Sequence, residues 1–175
     1  MRSLVLVGLP GSGKSTVGRG LARRVGLPFI DSDHVIEQRL GCSIREFFAR
    51  EGESAFRDVE QAVIDELAGA PGVLATGGGA VLRAANRQRL REGGNVFYLM
   101  STPEEVFRRV RHDQNRPLLQ VDDPLARLKA LFAERDPLYR ETAHYVIETG
   151  RPSVPTLVNM IVMQLELAGD AGPGA

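Results

Sequence analysis

Residues 4–15 read LVLVGLPGSGKS, an apolar run that breaks into glycines and then into a helical pattern, Thr16 to Val25. Leu4 to Val7 has the continuous apolar character of a strand buried on both faces of a parallel sheet. Gly8 to Ser15 fits G-x-x-x-x-G-K-S in the context the motif requires, a strand before it and a helix after it. Gly8, Gly11 and Gly13 let the backbone curl so that successive N–H groups converge on phosphate oxygens at a helix N-terminus. Lys14 supplies a compact positive charge for the β- and γ-phosphates, and the Ser15 hydroxyl is a ligand for Mg²⁺.

The remainder of the chain repeats the alternation of strand and helix. Phe29-Ile30 begins a second strand that runs into Asp31-Ser32-Asp33, with a helix from about His34 to Leu40. Ser43-Ile-Arg-Glu46 has the form of a capping box. Phe56, Val59, Val63, Ile64 and Leu67 recur at helical spacing. Val73 to Thr76 reads as a third strand leading into Gly77-Gly78-Gly79, with a helix over Arg83 to Arg91. Val96 to Met100 reads as a fourth strand, followed by the helix start Ser101-Thr-Pro-Glu-Glu105. Residues 112–123, HDQNRPLLQVDD, carry no sustained period. A helix is expected from Pro124 to Glu134, then a short strand Tyr145 to Ile147, a loop at 149–152 and a last helix from Thr156 to Leu167. Alternation of this kind predicts an α/β protein with a parallel sheet covered by helices on both faces, three layers in all. Ligands of such sheets sit beyond the carboxyl ends of the strands.

Composition narrows the function classes. The 175 residues carry 22 Lys+Arg against 22 Asp+Glu, a formal net charge of +0, so neither nucleic acid nor an anionic membrane is an expected partner. Only Lys14 and Lys129 are lysines. A single cysteine, Cys42, excludes an internal disulfide framework. No signal-peptide pattern opens the chain, and no run approaches the ~20 apolar residues of a membrane span. A cytoplasmic protein is expected, with residues 169–175 as a disordered tail and 1–168 as one domain.

A phosphate loop alone does not separate motors, GTPases and small-molecule kinases. Val96 to Met100 ends in Ser101 and Val73 to Thr76 in glycine, so neither strand ends in the acid of a usual metal-holding second motif. No Asn-Lys-x-Asp tetrapeptide occurs. The strand-end acids are Asp31 and Asp33. Ser15 with Asp31, directly or through water, suits Mg²⁺, which prefers hard oxygen ligands. Asp33 then faces an acceptor hydroxyl as orienting group and general base; the alternative is that one aspartate simply caps the helix at His34. Arg57 in Phe56-Arg-Asp-Val-Glu60 lies on the face opposite much of the apolar stripe, within reach of Glu60. His34, His112 and His144 suggest no chemistry.

GLPGSGKST, Asp31-Ser-Asp33, Phe56-Arg57-x-x-Glu60, Gly77-Gly-Gly79, Arg116-Pro-Leu-Leu119 and Arg135-x-Pro-Leu-Tyr139, in this order over about residues 2–165, resemble the shikimate kinase family. The resemblance implies a P-loop kinase fold, a five-stranded parallel sheet of order 2-3-1-4-5, with a substrate-binding insertion at about 32–60 and a lid at about 112–123. It implies transfer of the γ-phosphate of ATP to the 3-hydroxyl of shikimate, with Mg²⁺, in the route to chorismate and aromatic amino acids, by a protein expected to be monomeric. Carried over by position, Lys14, Asp33 and Arg116 are catalytic. Gly11, Ser12, Gly13, Lys14, Ser15, Thr16, Arg109, Arg116 and Arg151 bind ATP, the last beside adenine in the 149–152 loop. Asp33, Arg57, Gly78, Gly79 and Arg135 hold shikimate, Glu60 orients Arg57, and Ser15 and Asp31 hold the metal. A carboxylate substrate suits guanidinium groups, and the glycine run is expected to leave room for the ring. Rival readings are a gluconate kinase-like or nucleotide kinase-like enzyme, which would lack the FRxxE, GGG and RxPLY set, and a binding module that has lost catalysis, which would lack Asp33, Lys14 or Arg116.

Overall fold

A computed structural model describes residues 3–111 and 121–169. Five parallel strands form one sheet in the order β2-β3-β1-β4-β5, as expected. They are β1 (Ser3–Val7), β2 (Phe29–Asp31), β3 (Gly72–Ala75), β4 (Asn95–Met100) and β5 (Tyr145–Glu148). Every residue of β1 is buried, because the strand has a hydrogen-bonded neighbour on each side and helices on both faces. Side chains alternate across it. Leu4 and Leu6 join Val17, Leu21, Leu157 and Ile161, from α1 (Lys14–Val25) and α8 (Val154–Leu167). Val5 and Val7 join the opposite core, with contributions from α4 (Glu53–Leu67), α5 (Ala84–Gly93), α6 (Pro103–Val110) and α7 (Pro124–Thr142).

Between β2 and β3, α2 (Ser32–Leu40), α3 (Ile44–Glu51) and the start of α4 close a smaller core around Ile36, Phe56 and Val63. This is the segment assigned above to substrate binding. Its boundaries follow local chemistry. Asp31 caps α2, accepting from the N–H groups of Asp33 (3.0 Å) and His34 (3.4 Å). Ser43 caps α3, and Thr102 with Glu105 completes a full capping box on α6.

One expected boundary is wrong. The helix expected to stop at Glu134 continues as α7 to Thr142, with Pro137 inside it. Proline removes one backbone donor and crowds the preceding turn, a cost of about 3 kcal/mol, and tertiary contacts hold the helix through it. Tyr98 of β4 donates to Asp136 Oδ1 at 2.7 Å, and its ring packs on Tyr139 with centroids 4.9 Å apart. Thr142 returns a hydrogen bond to the Leu138 carbonyl at 2.7 Å. Arg135, Asp136 and Tyr139 are therefore held within the helix rather than at its end. The 112–123 segment, Arg116 and His112 included, falls outside the described residues up to position 120. His144 accepts a hydrogen bond from the Val96 N–H at 3.0 Å, a structural role.

Candidate functional site

β1 runs straight into the glycine loop, and the loop into α1. Gly8 has φ +155°, and a Cβ there would lie 2.8 Å from the Leu99 carbonyl oxygen and 2.9 Å from Ser12 Oγ. Gly13, at φ +96°, is the N-cap of α1 and brings no side-chain cap. The first N–H groups of the helix are thus left to whatever anion occupies the loop, where the helix dipole also favours negative charge. Buried Lys14 lies across the same loop, its Nζ donating to the Gly8 and Leu9 carbonyls at 2.7 and 2.8 Å.

Gly13 and Lys14 line a cavity of about 280 Å³ at the carboxyl ends of β1, β2 and β3, together with Gly11, Ser15, Thr16, Asp31, Asp33, Gly77 and Gly78. Pro10 and Thr76, which the sequence did not mark, line it too. Ser15 Oγ donates to Asp31 Oδ2 at 3.1 Å. Asp31 is therefore both the cap of α2 and the partner of the loop serine, one oxygen for each task. The capping role weighed above for either aspartate belongs to Asp31. Asp33 is left with its carboxylate aimed at the glycine run. Burial, then the neighbouring Asp31 and Glu60 carboxylates, push Asp33 up to about 6 from the ordinary 3.8, against the pull of Lys14. A carboxyl poised there is matched to proton transfer near neutral pH.

The glycine run has a sharper reason than open space for a ligand. A Cβ on Gly77 would meet Asp33 Oδ1 at 2.6 Å, one on Gly78 the Pro10 ring at 2.6 Å, and one on Gly79 the Arg57 guanidinium at 2.5 Å. Each glycine thus seats a different part of the site: the acid, the phosphate loop and an arginine. Buried Ser32 pins the run by accepting the Gly77 N–H at 3.2 Å.

Arg57 was expected on a face turned from the core, yet its side chain is only 12% exposed. Its partner Glu60, one turn on, is 1% exposed and takes Arg57 Nη1 at 2.9 Å; Glu53 adds a contact at 3.6 Å. Burial pushes the Glu60 carboxyl up, and Arg57, Arg135 and Arg83 pull it back toward ionisation. Arg57 and Arg135 both act on buried Tyr139 as well, so α7 brings Arg135 to the same corner. The Nε of each arginine is buried without a hydrogen-bond partner. Donors on two guanidinium groups in one corner make a seat for a planar anion.

Arg109, on the last turn of α6, donates to Ser12 O (3.1 Å), Ser101 Oγ (3.1 Å), Thr149 O (2.9 Å) and Thr149 Oγ1 (3.1 Å). It ties the phosphate loop to the ends of β4 and β5. Arg151 is exposed in the loop after β5 and does not line the cavity. Among the described residues, no three His, Cys, Asp or Glu side chains group as a metal cage. The Ser15–Asp31 pair offers one hydroxyl and one carboxylate, a donor set that fits Mg²⁺ arriving on a nucleotide with its own phosphate and water ligands.

Comparison with known proteins finds relatives along nearly the whole chain. A family model described as shikimate kinase matches residues 10–166. A shikimate kinase of Paracidovorax citrulli is 67% identical over 175 residues, covering 98% of this chain and 96% of that protein. The solved structure of shikimate kinase from Acinetobacter baumannii in complex with shikimate superposes with a TM-score of 0.89 at 46% identity, covering 97% of this chain and 94% of that one. A gluconokinase from Sinorhizobium meliloti reaches a TM-score of 0.60 at 20% identity, covering 95% of this chain and 93% of that one, a likeness of fold alone.

Proposed function

The chain belongs to the shikimate kinase family, and from that premise we propose a role for each part of the site. The reaction is ATP-dependent phosphorylation of shikimate, in the biosynthesis of aromatic amino acids. The α1 N-terminus and Gly11 to Thr16 hold the ATP phosphates, with Lys14 released from the loop carbonyls onto the β- and γ-phosphates. Ser15 and Asp31 hold Mg²⁺, which supplies charge neutralisation at the transferring phosphoryl group. Asp33 orients the 3-hydroxyl and accepts its proton. Arg57 and Arg135 take the shikimate carboxylate, Glu60 keeps Arg57 in place, and the Gly78 and Gly79 backbone borders the ring. Arg116 brings a further positive charge to the phosphates, and Arg109 and Arg151 flank the adenine. Residues 1–168 form the kinase domain, working as a monomer in the cytoplasm. No helix among the described residues is long and apolar enough to cross a membrane.

The observation that carries the acceptor assignment is the pair of guanidinium groups with buried, unpartnered Nε atoms beside Asp33's glycine run. An ADP-release assay against shikimate, gluconate and a set of nucleoside monophosphates tests it. Turnover is expected with shikimate alone, and comparable turnover with an acceptor lacking a carboxylate would overturn it.

Two further results are expected. Because Asp33 must be ionised to accept a proton, kcat/KM for shikimate should fall as pH drops through about 6. A pH–rate profile flat from 7 down to 5 would remove Asp33 as the base. The glycine contacts separate the two substrates. Gly79→Ala pushes on Arg57 and should raise KM for shikimate, whereas Gly78→Ala pushes on Pro10 and should raise KM for ATP. Steady-state kinetics with each substrate varied in turn reads both.

A further inference from the structure

The Tyr139 hydroxyl lies between two parts of the acid-binding corner. Tyr139 is fully buried on α7, one turn after Arg135, so the two side chains share a side of the helix. Its hydroxyl donates to the Gly78 carbonyl at 2.6 Å, and the positive charge of Arg135 lies near the same side chain. A phenol has one proton to give, and here it goes to Gly78. The hydroxyl therefore ties α7, the helix that carries Arg135, to the Gly78 carbonyl. Burial pushes the phenol well above its ordinary pKa, so it stays a donor at any pH the enzyme meets.

The hydroxyl is not needed to dock α7. That helix has its own anchors in the Tyr98–Asp136 hydrogen bond at 2.7 Å and the Arg87–Glu141 ion pair at 3.2 Å. The hydroxyl's bond instead joins the helix that carries Arg135 to the backbone of the glycine run, across 61 positions of sequence. The next residue, Gly79, is the one on which Arg57 rests.

We propose that Tyr139 is a positioning residue for the acid substrate: its hydroxyl fixes the Gly78–Gly79 backbone against the turn of α7 that carries Arg135, and so sets Arg135 in register with that backbone and, through Gly79, with Arg57. The inference rests on the reading of Arg135 as a carboxylate partner. The spacing of the two arginines is then set by α7 and the glycine run together.

Tyr139→Phe keeps the ring and removes only the bridge. Varying each substrate in turn, KM for shikimate should rise about five- to tenfold, the size of one net hydrogen bond. The KM for ATP, kcat and the melting temperature should stay close to wild type. An unchanged shikimate KM overturns the proposal. So does a rise in both KM values together with a lowered melting temperature, the signature of a purely structural tyrosine. Arg135→Lys, made alone and with Tyr139→Phe, tests the same corner from the side of α7. If Tyr139 acts through Arg135, the second substitution costs less in the Arg135→Lys background than in wild type, and additive effects overturn the proposal. An Arg135→Lys enzyme with an unchanged shikimate KM removes the carboxylate assignment itself. A raised KM there, with none in Tyr139→Phe, removes only the role of Tyr139.

Discussion

Asp33→Asn is expected to lose about 10²- to 10⁴-fold in kcat, the range supplied by a positioned general base, while ATP still binds. The amide keeps the shape of the carboxyl and can still hydrogen-bond a hydroxyl, so shikimate KM should move far less than kcat. Near-wild-type turnover would exclude proton acceptance by Asp33. The same substitution carries a stability signature of definite sign. With its folded pKa raised to about 6 above the ordinary 3.8, Asp33 binds a proton more tightly in the native state than in the unfolded chain. Its ionisation therefore opposes folding, and wild-type stability is lost as pH rises from about 4 through 6. Asp33→Asn escapes that cost. It should melt higher than wild type at pH 8, with the difference closing near pH 4. An inactive enzyme that is more stable at alkaline pH is what a catalytic base ionised against its burial predicts; an inactive enzyme that is less stable there would point to a structural aspartate.

How far the site could be read from the sequence depended on how local the chemistry was. The phosphate loop was readable because strand, glycines, lysine and helix are contiguous, and backbone geometry within a dozen residues decides the matter. Arg57 and Glu60 were readable as a pair because three residues separate neighbours on a helix, but their burial was not. Gly79 lies against the Arg57 guanidinium and Arg135 and Arg83 approach Glu60, all from other elements, which no periodicity in α4 records. Pro137 misled for the opposite reason. A local rule stops the helix, and the residues that override it, Tyr98 and Arg87, sit in other elements. Asp31 and Asp33 were found together, and the assignment of the cap to Asp31 needed the coordinates. The glycine run was explained by ligand access, whereas the atoms that fill those positions are Asp33, Pro10 and Arg57, each remote in sequence.

Arg57→Ala and Arg135→Ala should each weaken shikimate by about 2–5 kcal/mol if a desolvated charge pair with its carboxylate is broken, roughly 30-fold to a few thousand-fold in KM at 1.4 kcal/mol per decade. The KM for ATP should change little in either, and unchanged shikimate KM in both would sink the carboxylate assignment. The two variants part company in stability. Arg57 is the 2.9 Å partner of a carboxylate that is 1% exposed. Removing it leaves Glu60 buried with its main counter-charge gone, a loss of about 3–5 kcal/mol when the carboxyl must stay ionised. Glu60 then takes up a proton more readily, so its folded pKa rises further and Arg57→Ala should lose stability as pH increases through that raised value. Arg135 makes no ion pair of that closeness among the described residues, so Arg135→Ala should melt near wild type with little dependence on pH. Adding Glu60→Gln to Arg57→Ala supplies the decisive contrast. The neutral amide removes the stranded charge and should restore the melting temperature. It cannot restore a guanidinium to the substrate, so KM for shikimate should remain high. Recovery of both would mean that Arg57 serves only to neutralise Glu60.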